Sequence, residues 1–231
     1  MQCKRLIERE KKEIERETRK DYYFFFLCLF SCKAQIGIPV NSSGNQKVIN
    51  DTVFVNLKNY SKDFVYDMKY ATSDNFLKAK VYDCAECFLR LKTVKSLIDA
   101  NDSFVKMGYK IKIYDCYRPL VIQKRMWKIV PDPSYVADPR KGSIHNRGGA
   151  VDITLVDANE TELNMGTPFD FFGIEASHNY YNLSQEIKDN RELLKKIMIQ
   201  NGFNFIDSEW WHYNLETASN DKVSNAKWNC K

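Results

Sequence analysis

Histidine is scarce in this sequence, three in 231 residues, and proline and glycine are few, at six and nine. No apolar run approaches the roughly 20 residues needed to cross a bilayer as a helix; the longest, Tyr22 to Ser31 (YYFFFLCLFS), has about ten. No second C-x-x-C pair accompanies Cys84-Ala-Glu-Cys87, so a zinc ribbon, which needs two such pairs, is excluded. No basic stripe is present either. The net charge of +5 is mild and the lysines are interspersed with acids, which argues against nucleic-acid binding. No internal repeat is visible. What is abundant is apolar surface: 44% hydrophobic and 13% aromatic residues are enough to bury a good core, and the length suits one domain rather than two.

The first 35 residues differ from the rest. Residues 4–21 carry eight basic and six acidic side chains, and the short apolar stretch and then Cys32-Lys33-Ala34-Gln35 follow. A basic region, a short apolar core and small residues is how a secretory signal is built. Two cleavages compete: after Ala34, or before Cys32, where Leu29-Phe30-Ser31-Cys32 resembles a bacterial lipobox with an atypical Phe. The second leaves a lipidated Cys32 and membrane attachment. The plainest alternative is a buried apolar N-terminal helix, and a cytoplasmic protein is the alternative to an exported, periplasmic or lipid-anchored one. Residues 36–52 are polar and read as a flexible tether, with the folded domain over 53–231. Beyond the leader remain Cys84, Cys87, Cys116 and Cys230, enough for up to two disulfides whose pairing stays open.

Within the domain, Phe88, Leu91, Val94, Leu97 and Ile98 recur at helical spacing and predict a helix from Cys84 to about Lys106. Tyr109 to Tyr114 alternates as a half-buried strand. Pro119 suits the first turn of a helix reaching about Val130. Three prolines and three glycines between Pro131 and Gly149 mark a surface loop. Ala150 to Leu155 then reads as a strand with Val151, Ile153 and Leu155 on one face and Ala150, Asp152 and Thr154 on the other. A helix is expected from an N-cap at Ser184 to Asn201-Gly202, followed by strands Phe203 to Ile206 and Trp210 to Leu215 joined by Asp207-Ser208. Tight turns between neighbouring strands favour an α+β fold, a single domain with a mainly antiparallel sheet flanked by helices, over a wound parallel sheet.

The chemistry concentrates in two stretches. Ser143 to Asp152 (SIHNRGGAVD) places His145 in a glycine-bearing loop and Asp152 on the next strand; Ser208 to Tyr213 (SEWWHY) adds His212. Two imidazoles and a carboxylate match the three protein ligands of a catalytic zinc, which keeps a fourth position open for water. Glu209, three residues before His212, suits a general base toward that water. In a regular strand residues three apart face opposite sides, so Glu209 is expected in the turn before the strand, or re-aimed by a bulge. Taken singly these residues are bland: Asp152 reads as a turn cap, His212 as a satisfied core histidine, Trp210 and Trp211 as packing, His178 as a surface or supporting residue.

Their order is not bland. Ser143, His145, Gly148, Ala150 and Asp152 fit S-x-H-x-x-G-x-A-x-D, and with Glu209 to His212 (EWWH), KYATSDNF at Lys69 to Phe76, YDCYRP at Tyr114 to Pro119 and MGTPFDFF at Met165 to Phe172 the chain, over about Phe64 to Leu215, resembles the zinc D-alanyl-D-alanine dipeptidases best known from vancomycin resistance. The resemblance implies a D-Ala-D-Ala peptidase-like (Hedgehog-type) fold and one zinc ion per chain on His145, Asp152 and His212. It implies Glu209 as catalytic acid/base, Arg118 stabilising the charge of the tetrahedral intermediate, and Asp170 receiving the substrate ammonium, with Tyr70 and Ser143 near the substrate. The implied reaction is hydrolysis of a small D,D-dipeptide in cell-wall turnover. The alternatives are a peptidoglycan stem-trimming D,D- or L,D-carboxypeptidase of the same clan, or a non-catalytic zinc-stabilised binding domain. Cys116 departs from the family's pattern, where a glycine is expected; it either crowds the pocket rim or pairs with another cysteine.

Overall fold

The central element of the fold is the strand that sequence alternation marks most clearly. Ala150–Val156 (β5) is buried at all seven positions, because it runs between two antiparallel neighbours and is covered on both faces. The computed structural model describes residues 50–228 and Cys230; the leader, Cys32 and residues 36–49 of the tether lie outside the described residues. In chain order the strands are β1 (Phe54–Asn56), β2 (Val65–Tyr66), β3 (Phe88–Arg90), β4 (Lys110–Asp115), β5, β6 (Phe203–Ile206) and β7 (Glu209–Leu215). The helices are α1 (Leu91–Val105), α2 (Leu120–Ile129) and α3 (Gln185–Gln200). Among the described residues no helix is long and apolar enough to cross a membrane.

The five-stranded sheet has the order β2-β4-β5-β7-β6, antiparallel except for the β2/β4 edge, and β1 pairs with β3 in a second small sheet. This is the expected α+β architecture. Residues directly opposite across antiparallel strands share a face. Ile113 lies opposite Ile153, Ile111 opposite Leu155, Val151 opposite Tyr213 and Phe205 opposite Tyr213, so these odd-numbered residues form an apolar face. They join Val94, Leu97 and Phe104 of α1 and Leu194 and Met198 of α3 in the core. The other face carries Asp152 opposite His212 and Ala150 opposite Asn214.

Two helix boundaries show what local pattern can and cannot read. Ser184 caps α3 by accepting the Ile187 N–H, and the chain leaves the helix through Asn201 and a positive-φ Gly202, as expected; such a cap contributes about 1 kcal/mol. The helix expected from Cys84 starts only at Leu91. Phe88 to Arg90 pair with β1 instead, and Cys87 is held by a disulfide to Cys116. Residues 50–52, read as tether, are bonded to the start of α1: the carbonyl of Asp51 accepts Lys92 N–H and that of Thr52 accepts Arg90 Nη1.

All four described cysteines are paired, Cys84 with Cys230 and Cys87 with Cys116. The two members of the C-x-x-C pair therefore go to different partners. In the chain-entropy picture, closing loops of these sizes contributes about 3–5 kcal/mol each.

Candidate active site

A one-residue shift in β4 and a larger irregularity in β7 build the site. Between Ile113 and Asp115 the β4/β5 register slips, which turns Asp115 onto the side of Asp152. In β7, Phe205 pairs with Tyr213 but Ile206 pairs with Glu209, so Trp210 to His212 form a bulge on the β6 side. Glu209 thus begins the strand and is re-aimed by the bulge, and its carboxylate lies 3.9 Å from His212 Nδ1. His145 comes from a 3-10 turn, His145–Arg147, ended by Gly148 at φ 74. A side chain at Gly148 would meet the Phe54 ring at 2.3 Å, so this turn requires glycine.

His145 Nε2, His212 Nδ1 and Asp152 Oδ1 form a triangle with sides of 3.2, 3.0 and 3.4 Å, and they are the one such donor group among the described residues. Four ligands at tetrahedral angles, each about 2.0–2.1 Å from a zinc ion, stand about 3.3–3.4 Å apart. The triangle fits. The second nitrogen of each ring supports it: His145 Nδ1–H donates to the Cys116 carbonyl at 2.7 Å and His212 Nε2–H to Asn214 Oδ1 at 2.9 Å. Both lone pairs then point at the carboxylate oxygen, an arrangement that repels itself unless a cation sits among the donors. Positive charge at this place is what the carboxylate calls for: burial alone would raise the Asp152 carboxyl, and the charge and hydrogen bonds of rings carrying both protons outweigh burial and hold it below the usual carboxylate range.

Arg118 is buried against Asp115, whose Oδ2 accepts from Nη2 at 2.6 Å and Nε at 3.2 Å; Nη1 donates to Gln123 Oε1 at 3.1 Å. Burial works against the guanidinium charge, and Asp115 together with Tyr82, Tyr70 and Asp152 outweighs burial and raises its pKa. Of the five N–H donors of an arginine, the two left over have no partner among the described residues. The guanidinium also stacks 5.2 Å above the Tyr70 ring. Tyr70 in turn donates its hydroxyl to Asp170 at 3.0 Å. Asp170 sits at φ 59, a left-handed conformation that Asp tolerates. Burial first, and then the charge of Asp152, push its carboxyl well above its ordinary range.

Tyr70, Arg118, Ser143, His145, Asp152, Asp170, Glu209 and His212 all line one cleft of about 250 Å³, with Tyr135, Phe172 and Trp211 among its walls. Drug-sized ligands occupy roughly 300–1,000 Å³, so the cleft suits something small. Ser143 is there to hold the loop: its N–H and hydroxyl both donate to Asn146 Oδ1, at 2.7 and 3.1 Å. Trp210 donates Nε1–H to Thr167 Oγ1 at 2.8 Å, tying β7 to the loop of Asp170, and Trp211 packs edge-on against Phe169. The tryptophan pair of SEWWHY therefore packs, with Trp211 walling the cleft. His178 stands apart against Phe205 at 4.8 Å. It is half-buried and away from the cleft: burial, followed by Lys195 and Arg191, pushes its pKa down to about 4.

The supporting residues were not assigned from sequence. Asp115 lay inside YDCYRP, and Asn214, two residues past His212 on the same strand face, was also accessible to pattern reading. Gln123 and Asn146 carried no signal, since the bonds of Asn146 to the Arg118 carbonyl and of Gln123 to the Ala137 carbonyl join different segments.

The fold and the cleft define a small α+β domain with one candidate metal centre in a pocket lined by an acid and a buried arginine. Residues 50–228 match the family model described as D-ala-D-ala dipeptidase. The chain is 36% identical over 180 residues to the D-alanyl-D-alanine dipeptidase of Escherichia coli (strain K12), covering 78% of this chain and 93% of that protein. It is 32% identical over 171 residues to the enzyme of the same name from Enterococcus faecium, covering 65% and 85%. It is also similar to the structure of a vancomycin resistance D,D-pentapeptidase, VanY, in complex with Zn(II), at 15% identity and a TM-score of 0.36 over 56% of this chain and 74% of that one, too slight a likeness to carry an argument. The chain belongs to the D-alanyl-D-alanine dipeptidase family.

Proposed function

We propose that this protein is a zinc dipeptidase that hydrolyses D-Ala-D-Ala in cell-wall peptide turnover. The observation that carries this reading is the donor triangle of His145, Asp152 and His212 in one small cleft with Glu209, Arg118 and Asp170. Held by those three residues, zinc would supply the acidity that makes water a nucleophile near neutral pH and would polarise the scissile carbonyl. Glu209 takes the proton from the attacking water and passes it to the leaving amine nitrogen. The free N–H donors of Arg118 meet the negative charge that develops on the carbonyl oxygen, held in place beforehand by Asp115 and Gln123. Asp170, oriented by Tyr70, receives the substrate ammonium. That last contact favours a free dipeptide over the stem-trimming carboxypeptidase reading, because a longer chain has no amine at that place. The general base Glu209 and the oxyanion partner Arg118 speak against a purely structural zinc, which needs neither.

Purified protein is expected to cleave D-Ala-D-Ala, to spare L-Ala-L-Ala and a pentapeptide stem, and to stop when a chelator removes the metal. Asp170→Ala should lower kcat/KM for the dipeptide by about tenfold to a hundredfold, the loss of one charge-assisted contact of about 1.5–3 kcal/mol. Undiminished cleavage of the dipeptide by this variant, or preference for the stem, would move the assignment to the carboxypeptidase.

For localisation we propose an exported enzyme, periplasmic or lipid-anchored. The leader-like composition of residues 1–35 and the two disulfides support it, since disulfides persist in oxidising compartments. The mass of the mature N-terminus separates diacylated Cys32 from cleavage after Ala34, and an intact leader would return the protein to the cytoplasm.

A further inference from the structure

Asp115 to Arg118 connects the end of β4 to α2 and touches both halves of the catalytic centre. Only Asp115, the last residue of β4, is held in the strand ladder, opposite Asp152 just past the register slip; Cys116 to Arg118 lie beyond it. Their bonds run outward instead. The Cys116 carbonyl accepts His145 Nδ1–H at 2.7 Å, Tyr117 N–H donates to the Phe88 carbonyl at 3.0 Å, and Arg118 N–H donates to the His145 carbonyl at 3.1 Å. The Cys116 side chain, fully buried, is covalently joined to Cys87, the residue before β3.

We propose that the Cys87–Cys116 disulfide is a positioning element of the hydrolytic centre. It fixes the Cys116 carbonyl relative to β3, and that carbonyl sets the tautomer and direction of His145, so that Nε2 presents its lone pair to Asp152 and His212. The same tether carries Asp115 and hence the Arg118 guanidinium. Removing it leaves every donor present but lets the carbonyl, and the imidazole bonded to it, wander by more than a metal site tolerates. The Cys84–Cys230 disulfide has no such place: neither of its cysteines bonds a site residue among the described residues. The inference rests on the metal reading given under Proposed function.

The test measures zinc affinity by competition with a chromophoric chelator, and the visible absorption of the Co2+-substituted protein, on the full chain. Cys87→Ala/Cys116→Ala is expected to bind zinc about tenfold to a hundredfold more weakly, the usual cost of disturbing a group behind a ligand, and to show shifted Co2+ bands. Cys84→Ala/Cys230→Ala is expected to keep wild-type affinity and bands. Cys87→Ser, which leaves Cys116 in place, repeats the measurement where the double variant does not fold. Unchanged affinity and spectrum in a folded Cys87 variant, or equal weakening in the Cys84/Cys230 variant, overturns the proposal while leaving the metal reading intact. Wild-type protein that takes up no zinc sinks the metal reading itself, and this inference with it.

Discussion

Glu209→Gln is expected to lower turnover of D-Ala-D-Ala by about two to four orders of magnitude, the usual contribution of general acid–base catalysis, with the protein folded and its metal in place. The reason lies in the division of labour within the cleft. The Glu209 carboxylate is outside the donor triangle, 3.9 Å from His212 Nδ1, and lines the same cleft. Burial raises its pKa, the charge of His212 opposing, and a carboxylate lifted toward neutrality accepts and returns a proton more readily than an ordinary one. Glutamine keeps the shape of the side chain and removes only that capacity. The measurements are kcat on the dipeptide and zinc content of the purified variant. Full activity would refute the assigned role; a metal-free variant would show Glu209 to be a ligand.

Asp115→Ala is expected to destabilise the protein by about 3–5 kcal/mol, the cost of leaving a buried charge without its partner. Asp115 is inaccessible and accepts four bonds: from Tyr82 Oη at 2.6 Å, from Cys116 N at 2.9 Å, and from Arg118 Nη2 and Nε at 2.6 and 3.2 Å. Alanine strands the guanidinium in a site with too little water to solvate it. Arg118 must then swing toward solvent, so the fraction that remains folded should lose most of its catalytic rate as well. Asp115→Asn keeps an oxygen for Arg118 and should fall between the two. Urea unfolding checks this directly, and a midpoint indistinguishable from wild type for the alanine variant would show that the Asp115–Arg118 pair is not what holds the arginine.

Much of this was legible along the chain. The alternation of Val151, Ile153 and Leu155 with Asp152 is reproduced in the sheet, because in any strand neighbouring side chains must face opposite ways. Ser184 and Gly202 mark the ends of α3 for reasons contained in one turn of backbone. The expected bulge at Glu209 followed from the same geometry, since two residues three apart cannot otherwise serve one site. The start of α1 was misread because Phe88 to Arg90 satisfy a helical stripe equally well, and only their pairing with β1, far upstream, decides for the strand.

By itself, then, the sequence determined the inventory and its local directions: which three histidines exist, which of them stand beside a carboxylate, and which face each strand residue takes. Only the tertiary structure decided the meetings. The register that sets Asp152 opposite His212, the approach of Tyr70 to Asp170 across a hundred residues, the choice of Cys87 rather than Cys84 for Cys116, and the grip of Asp115 and Gln123 on Arg118 all depend on how distant segments pack. The physical reason is range. Backbone sterics and side-chain periodicity act over about four residues, whereas these contacts exist because burying the whole core fixes one register among many.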